Sequence, residues 1–304
     1  MSEQRTQSLM QPSMRRSGKP LRVGLLGLAL LLGACASHKQ TPAVDDMPSP
    51  AEVRQKADLA WQYGDYGAAV DGYREILRTD TTNRAALIGI GEALLALGDS
   101  GHALSAFEEV LRVEPGAVDA LEGRALARLG VGRDVEAAAD FDAVLAQDAK
   151  RWRALNGMGM FADLRGDYDA AQKWYEQALA VQPGEAAIWN NYGWSRVMAH
   201  DYVQAERLLG DALSRKPSAP RINANLAVAI AWQGDYERAL RIARRTAAEG
   251  VAYNDVGYIA LLRGDATIAA GYFQQAIDKS PSWFERAAVN LERARREAAA
   301  PALR

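Results

Sequence analysis

Between residues 51 and 283 the chain alternates stretches of apolar side chains at helical spacing with short polar breaks, and the breaks carry a fixed mark. The marks are Gly64-Asp65, Gly98-Asp99, Gly132-Arg133, Gly166-Asp167, His200-Asp201, Gly234-Asp235 and Gly264-Asp265, 34 residues apart five times and 30 apart once. Alanine stands five residues after every mark, at Ala69, Ala103, Ala137, Ala171, Ala205, Ala239 and Ala269. A small residue stands seven before every mark, at Ala57, Gly91, Ala125, Gly159, Gly193, Ala227 and Gly257. Nine after the mark comes an aromatic ring (Tyr73, Phe107, Phe141, Tyr175, Phe273), with Leu209 and Ala243 as exceptions. Proline closes the unit at Pro115, Pro183, Pro217 and Pro281.

Each column has a physical reason. Small residues let two antiparallel helices approach, and the aromatic fills the space between one pair and the next. Glycine ends the first helix, aspartate caps the second by accepting from free N–H groups, and proline stops the second helix. One pair cannot bury its own apolar face, so stability must come from stacking neighbours. The pattern predicts an all-α solenoid of about seven helix-turn-helix repeats over 51–283. His200 replaces glycine at the fifth turn and puts that turn in question, and the four residues missing near Ala247 to Val251 predict a shortened second helix in repeat six. In 283–296, Phe284, Ala287, Ala288, Leu291 and Ala294 at helical spacing predict a capping helix over 284–297, followed by a disordered tail over 298–304.

Composition narrows the function. The chain has 304 residues, 49% hydrophobic and 24% charged, with a net charge of −2. No basic field exists to hold a phosphate backbone, so nucleic acid is not expected as a partner. A single cysteine makes no internal disulfide, and His38, His102 and His200 are too scattered for a local metal motif. No nucleophile with a base, paired carboxylates in an apolar setting or phosphate-cradling loop stands out. The expectation is a protein that is not an enzyme and holds no metal or cofactor.

The length, small pair, aromatic and proline of the unit resemble the tetratricopeptide repeat. In that family the first helix of each pair lines the concave side, where residues ten, six and three before each mark share one face. The resemblance implies a peptide groove from Asn156 and Met160 in repeat four, Asn190 and Trp194 in repeat five, and Asn254 and Tyr258 in repeat seven, with Asp163, Val197 and Leu261 completing the three rows. Trp232 lies on the neighbouring row, with Asn191 and Asn225 adjacent in the register. Asparagine both donates to and accepts from an extended backbone, and Trp, Tyr and Met supply adaptable contact area. The alternative is that Trp194 and Trp232 pack between helices. In the N-terminal repeats Ile88, Glu92 and Leu126 offer a less polar face.

The N-terminus reads as a targeting segment. Arg15, Arg16, Lys19 and Arg22 precede a twelve-residue apolar run, Val23 to Ala34, too short to span a bilayer and matching a secretory signal peptide. The run ends Leu32-Gly33-Ala34-Cys35, which resembles the lipobox of bacterial lipoproteins and implies that Cys35 is lipidated. Ala36 is not the aspartate that retains some lipoproteins in the inner membrane, so the resemblance implies the outer membrane, periplasmic face. Met1 and Met14 both remain open as starts. The expected order is a signal peptide over 1–34, then the lipidated cysteine and a flexible tether over 35–50. Residues 1–34 hold five basic and one acidic side chains, leaving 31 basic against 37 acidic in the mature part.

The stretches RINANLAVAIAWQG (221–234), NDVGYIALLRG (254–264) and SWFERAAVNLERA (282–294), with the shortened repeat between them, are similar to the tetratricopeptide lipoproteins of tight-adherence (Tad, Flp pilus) assembly. That similarity implies a scaffold that helps assemble or localise a secretin or other pilus components. Two relatives in architecture stay open: the secretin pilotin of type IV pili, and a general periplasmic scaffold for peptidoglycan enzymes.

Overall fold

The computed structural model describes residues 49–282 and 284–299, so the expected signal peptide, Cys35 and nearly all of the tether lie outside the described residues. The described part holds fifteen α-helices and no strand. Seven antiparallel pairs follow one another: α1 (Pro50–Gln62) with α2 (Tyr66–Thr79), α3 (Arg84–Ala96) with α4 (Ser100–Val113), α5 (Val118–Gly130) with α6 (Asp134–Gln147), α7 (Trp152–Leu164) with α8 (Tyr168–Val181), α9 (Ala186–Met198) with α10 (Tyr202–Arg215), α11 (Pro220–Trp232) with α12 (Tyr236–Ala243), and α13 (Glu249–Leu262) with α14 (Ala266–Asp278). The last helix, α15 (Glu285–Ala299), packs on α14. The fold is an all-α repeat solenoid.

Local chemistry sets the boundaries. Ser49 and Pro50, expected in the tether, instead start α1: Ser49 accepts from the Glu52 N–H, the Glu52 carboxylate accepts from the Ser49 N–H, and Pro50 takes the first turn. Asp65, Asp99, Asp167, Asp201 and Asp235 each cap a second helix through the N–H three residues on. Arg133 has no such bond to offer, and the Asp265 carboxylate turns instead to Tyr236 and Arg263. At the other end α15 runs to Ala299 rather than 297, because alanine is the best helix former and three alanines close the segment. Ala298 and Ala299 are therefore helical, and residues 300–304 of the expected tail lie outside the described residues.

The six glycines of the marks have φ between 73° and 90°, the left-handed region that glycine enters without penalty. His200 enters it too, at φ 60°, so the fifth turn keeps its geometry despite the side chain. His200 offsets part of the strain through Nδ1 against the Tyr202 hydroxyl at 2.8 Å and an edge-on ring contact with Tyr202.

The rings nine residues after the mark form the spine of the core. Phe107, Phe141, Tyr175 and Phe273 are fully buried. A Cβ added at Gly91 would come within 2.5 Å of the Phe107 ring, and one at Gly123, in the next repeat, within 2.3 Å. One ring thus spans the first helices of two successive repeats, and glycine is small because it gives the ring its seat. In repeat six, α12 stops after eight residues, and Ala243 stands where the ring would be.

Gly123→Ala should cost about 1–3 kcal/mol by overpacking, whereas Gly101→Ala, where nothing lies within 4 Å, should stabilise by about 0.5–1 kcal/mol. Urea unfolding separates the two, and equal behaviour would contradict the ring-seat packing. His200→Gly should raise stability by about 1 kcal/mol by releasing the left-handed strain, read as a higher urea midpoint at unchanged slope.

Candidate functional site

First helices touch first helices along the array: α3 packs on α5, α5 on α7, α7 on α9, α9 on α11, α11 on α13, and α13 on α15. No comparable contact joins the second helices, so the first helices form the inside of the curve. The inner surface divides into two chemically different halves.

In the C-terminal half, side chains nine and ten residues before the marks meet in one register. The Asn191 amide of α9 donates to Asn156 Oδ1 of α7 at 3.1 Å, and the Asn225 amide of α11 donates to Asn190 Oδ1 of α9 at 2.9 Å. Asn190 Nδ2 lies 3.3 Å from Asn191 Oδ1, which joins the rungs, and Asn156 Nδ2 lies 3.7 Å from the Met160 sulfur. The same rung recurs at the far end, where Asn290 of α15 donates to Asn254 Oδ1 of α13 at 3.1 Å. The side chain nine before a mark therefore reaches the one ten before the preceding mark. Asn290 was missed in the sequence because α15 lacks a mark of its own and because its 36 residues from Asn254 differ by one from the 35-residue spacing of the other rungs.

These bonds sort the expected groove residues. Asn156, Asn190, Asn225 and Asn254 are buried; Asn156 accepts from Asn191, Asn190 from Asn225 and Asn254 from Asn290, while the Asn254 amide donates to Asp255. Met160, Asn191, Trp194 and Tyr258 are half-buried and offer surface. Trp194 also packs against the core of repeats five to seven. Trp232 stacks on Tyr202 of α10 with ring centres 5.3 Å apart and planes 2° from parallel. Its ring faces a second helix rather than the row of Met160, Trp194 and Tyr258; the cause is its place at the end of α11, where the chain turns. Asp163 accepts from the Tyr175 hydroxyl at 2.7 Å and from Ser195 Oγ at 2.6 Å, and burial pushes its carboxyl above the usual range against those bonds.

In the N-terminal half the position nine before the mark is Gly89, Gly123 and Gly157, where a Cβ would strike the ring of Tyr73, Phe107 and Phe141. No amide can stand there, and charges take over. Arg153 of α7 reaches Glu92 of α3 at 2.9 Å and Glu122 of α5 at 3.6 Å, so one guanidinium ties three repeats. Arg151 binds Asp119 at 2.6 Å and Glu122 at 3.3 Å. Burial raises the Glu122 carboxyl, the two arginines pull it back, and its Oε1 finds no partner. Beside this network opens a cavity of about 380 Å³ between α1, α2, α3 and α5, lined by Asp58, Tyr73, Arg84, Ile88 and Glu92 among others. Ile88 thus lines a charged cavity, not the less polar face expected there, because Arg84 and Asp119 flank it.

Models of the tetratricopeptide repeat match residues 88–151, 164–197 and 233–283, and a second such model matches 196–255. The chain belongs to the tetratricopeptide repeat family. Its first helices are the family's inner surface, and repeats of this kind form scaffolds for protein–protein interaction. A tetratricopeptide repeat protein from Parabacteroides merdae is similar in structure at 19% identity and TM-score 0.54, over 81% of this chain and 98% of that one. The Thermus thermophilus protein TTC0263 gives 16% identity and TM-score 0.55, over 60% and 99%. Pseudomonas aeruginosa pilF gives 19% identity and TM-score 0.53, over 70% and 97%. At these identities the likeness is one of fold. No curated protein matches the sequence. Among the described residues, no group of three or more His, Cys, Asp or Glu side chains is placed to hold a metal ion, and no helix is long and apolar enough to cross a membrane.

Asn190→Ala should cost about 1–3 kcal/mol of stability, because it leaves the Asn225 amide donor and the Asn191 oxygen unpartnered. Thermal melting checks this, and a melt unchanged from the parent would show that the amide chain contributes nothing to the fold.

Proposed function

We propose that this tetratricopeptide repeat protein is a non-catalytic, outer-membrane lipoprotein whose inner surface holds an extended segment of a secretin or another component of a Tad-type pilus. The observation that carries the proposal is the row of Met160, Asn191, Trp194 and Tyr258, half-exposed along the first helices of repeats four, five and seven on a rigid bed of paired amides. Such a surface favours a strand-like ligand: the bed is already satisfied and loses no entropy on binding, while the half-buried rings and thioether supply contact area that water leaves readily. The Leu32-Gly33-Ala34-Cys35 motif supports the anchor, and the proline-bearing stretch that follows would hold the array off the bilayer.

Two measurements test this. Mass spectrometry of the mature N-terminus should find acylated Cys35, and Cys35→Ser should shift the protein out of the membrane fraction, since stable anchoring takes more than one chain. An unmodified Cys35 would refute the anchor. In detergent-solubilised envelopes, the intact lipoprotein should co-purify with a secretin, and the double variant Met160→Ala, Tyr258→Ala should lose at least about tenfold of that capture, as for two interface residues worth more than 1 kcal/mol each. Full capture by a variant with an unchanged melt would remove the groove from the account.

A further inference from the structure

The amide register has one break. Repeat seven begins 30 rather than 34 residues after repeat six, and the position nine before its mark is Asp255. The side chain it should reach, ten before the preceding mark, is Ala224, which has no polar atom to give. Asp255 is therefore the one carboxylate in the donor column of repeats five to seven, and it is exposed where Asn191 is half-buried and Asn225 buried. It accepts one bond, from the neighbouring Asn254 amide at 3.1 Å, and forms no ion pair among the described residues. Arg286 of α15 acts on it from a distance without closing a bridge. Desolvation by the surrounding helices pushes its carboxyl upward, against the Asn254 amide and Arg286. On the same helix, Val251 one turn before it and Leu262 two turns after it are exposed, and Tyr258 three residues on is half-buried.

We infer that Asp255 is a specificity residue of the groove, which takes the cationic head of a lysine or arginine side chain from the bound segment. A long basic side chain fits this stripe. Its methylene stem lies on Val251, the Tyr258 ring offers its face to the cation, and the head reaches a carboxylate that closes no ion pair among the described residues. The mature chain carries 37 acidic against 31 basic side chains, which favours basic segments at longer range. The inference rests on the groove proposed above, and it names the chemistry of one position in the ligand.

The test uses the mature protein and a phage-displayed library of random dodecapeptides. Selection on the parent should enrich peptides with lysine or arginine at one fixed place in their register. Asp255→Asn, which keeps the shape, should weaken those peptides about three- to tenfold, as for a partly shielded ion pair, and Asp255→Lys should select an acidic residue at that place. Unchanged melting curves establish that both variants fold. Enriched peptides that depend on Met160 and Tyr258, yet bind Asp255→Asn and Asp255→Lys as they bind the parent, would overturn the inference and leave the groove standing. Peptides indifferent to Met160 and Tyr258, or no enrichment at all, would overturn the groove and this inference with it.

Discussion

The structure depends on a ring seated across two first helices. A repeat of two short helices has no interior of its own, and its apolar face must be closed by the next repeat. Phe107 does this directly: it is fully buried, and both Gly91 in its own repeat and Gly123 in the next are as small as they are because the ring lies against them. The same seat recurs with Phe141 at Gly157 and Tyr175 at Gly159. Curvature follows from it, because first helices drawn over a shared ring touch one another while second helices do not. The inner surface is a by-product of how the core closes.

That constraint also decides what the inner surface can carry. Where the seat is a glycine nine before the mark, no side chain is available to pair with the preceding repeat, and arginine–carboxylate bridges from other positions cross the gap, as Arg153 does to Glu92 and Glu122. Where the filling residue shrinks, as at Leu209 and Ala243, the position is released for Asn225 and Asp255. The shortened sixth repeat has lost the ring, and its Ala224 offers no polar partner to the repeat that follows, which leaves the Asp255 carboxylate open to solvent.

Much of this was legible in the sequence because it is periodic. The seven marks fixed the turns, and the aspartates after five of them cap the helices they precede. The groove was legible only as a set of rows. Asn156, Asn190 and Asn254 stand on the expected helices, but their burial and pairing depend on an offset of one residue between neighbouring repeats, which a single helical face does not reveal. Trp232 shows the same gap: helical register gives its angle, while the stacking on Tyr202 belongs to the packing of α10 against α11. The charge network of the N-terminal half was hidden for a related reason, since Arg153 and Glu92 are 61 residues apart and no local pattern joins them.

The central claim is that partners dock on the inside of the curve, on repeats four to seven. Photo-crosslinking in cells reads this, with a photoreactive phenylalanine analogue placed one at a time at Met160 and Tyr258 on first helices, and at Val135 and Val203, which are 76% and 72% exposed on second helices. The account predicts crosslinks to one envelope protein of secretin size from Met160 and Tyr258, and none to it from Val135 or Val203. Crosslinks to that protein from Val135 and Val203 alone would place docking on the outer surface and contradict the account.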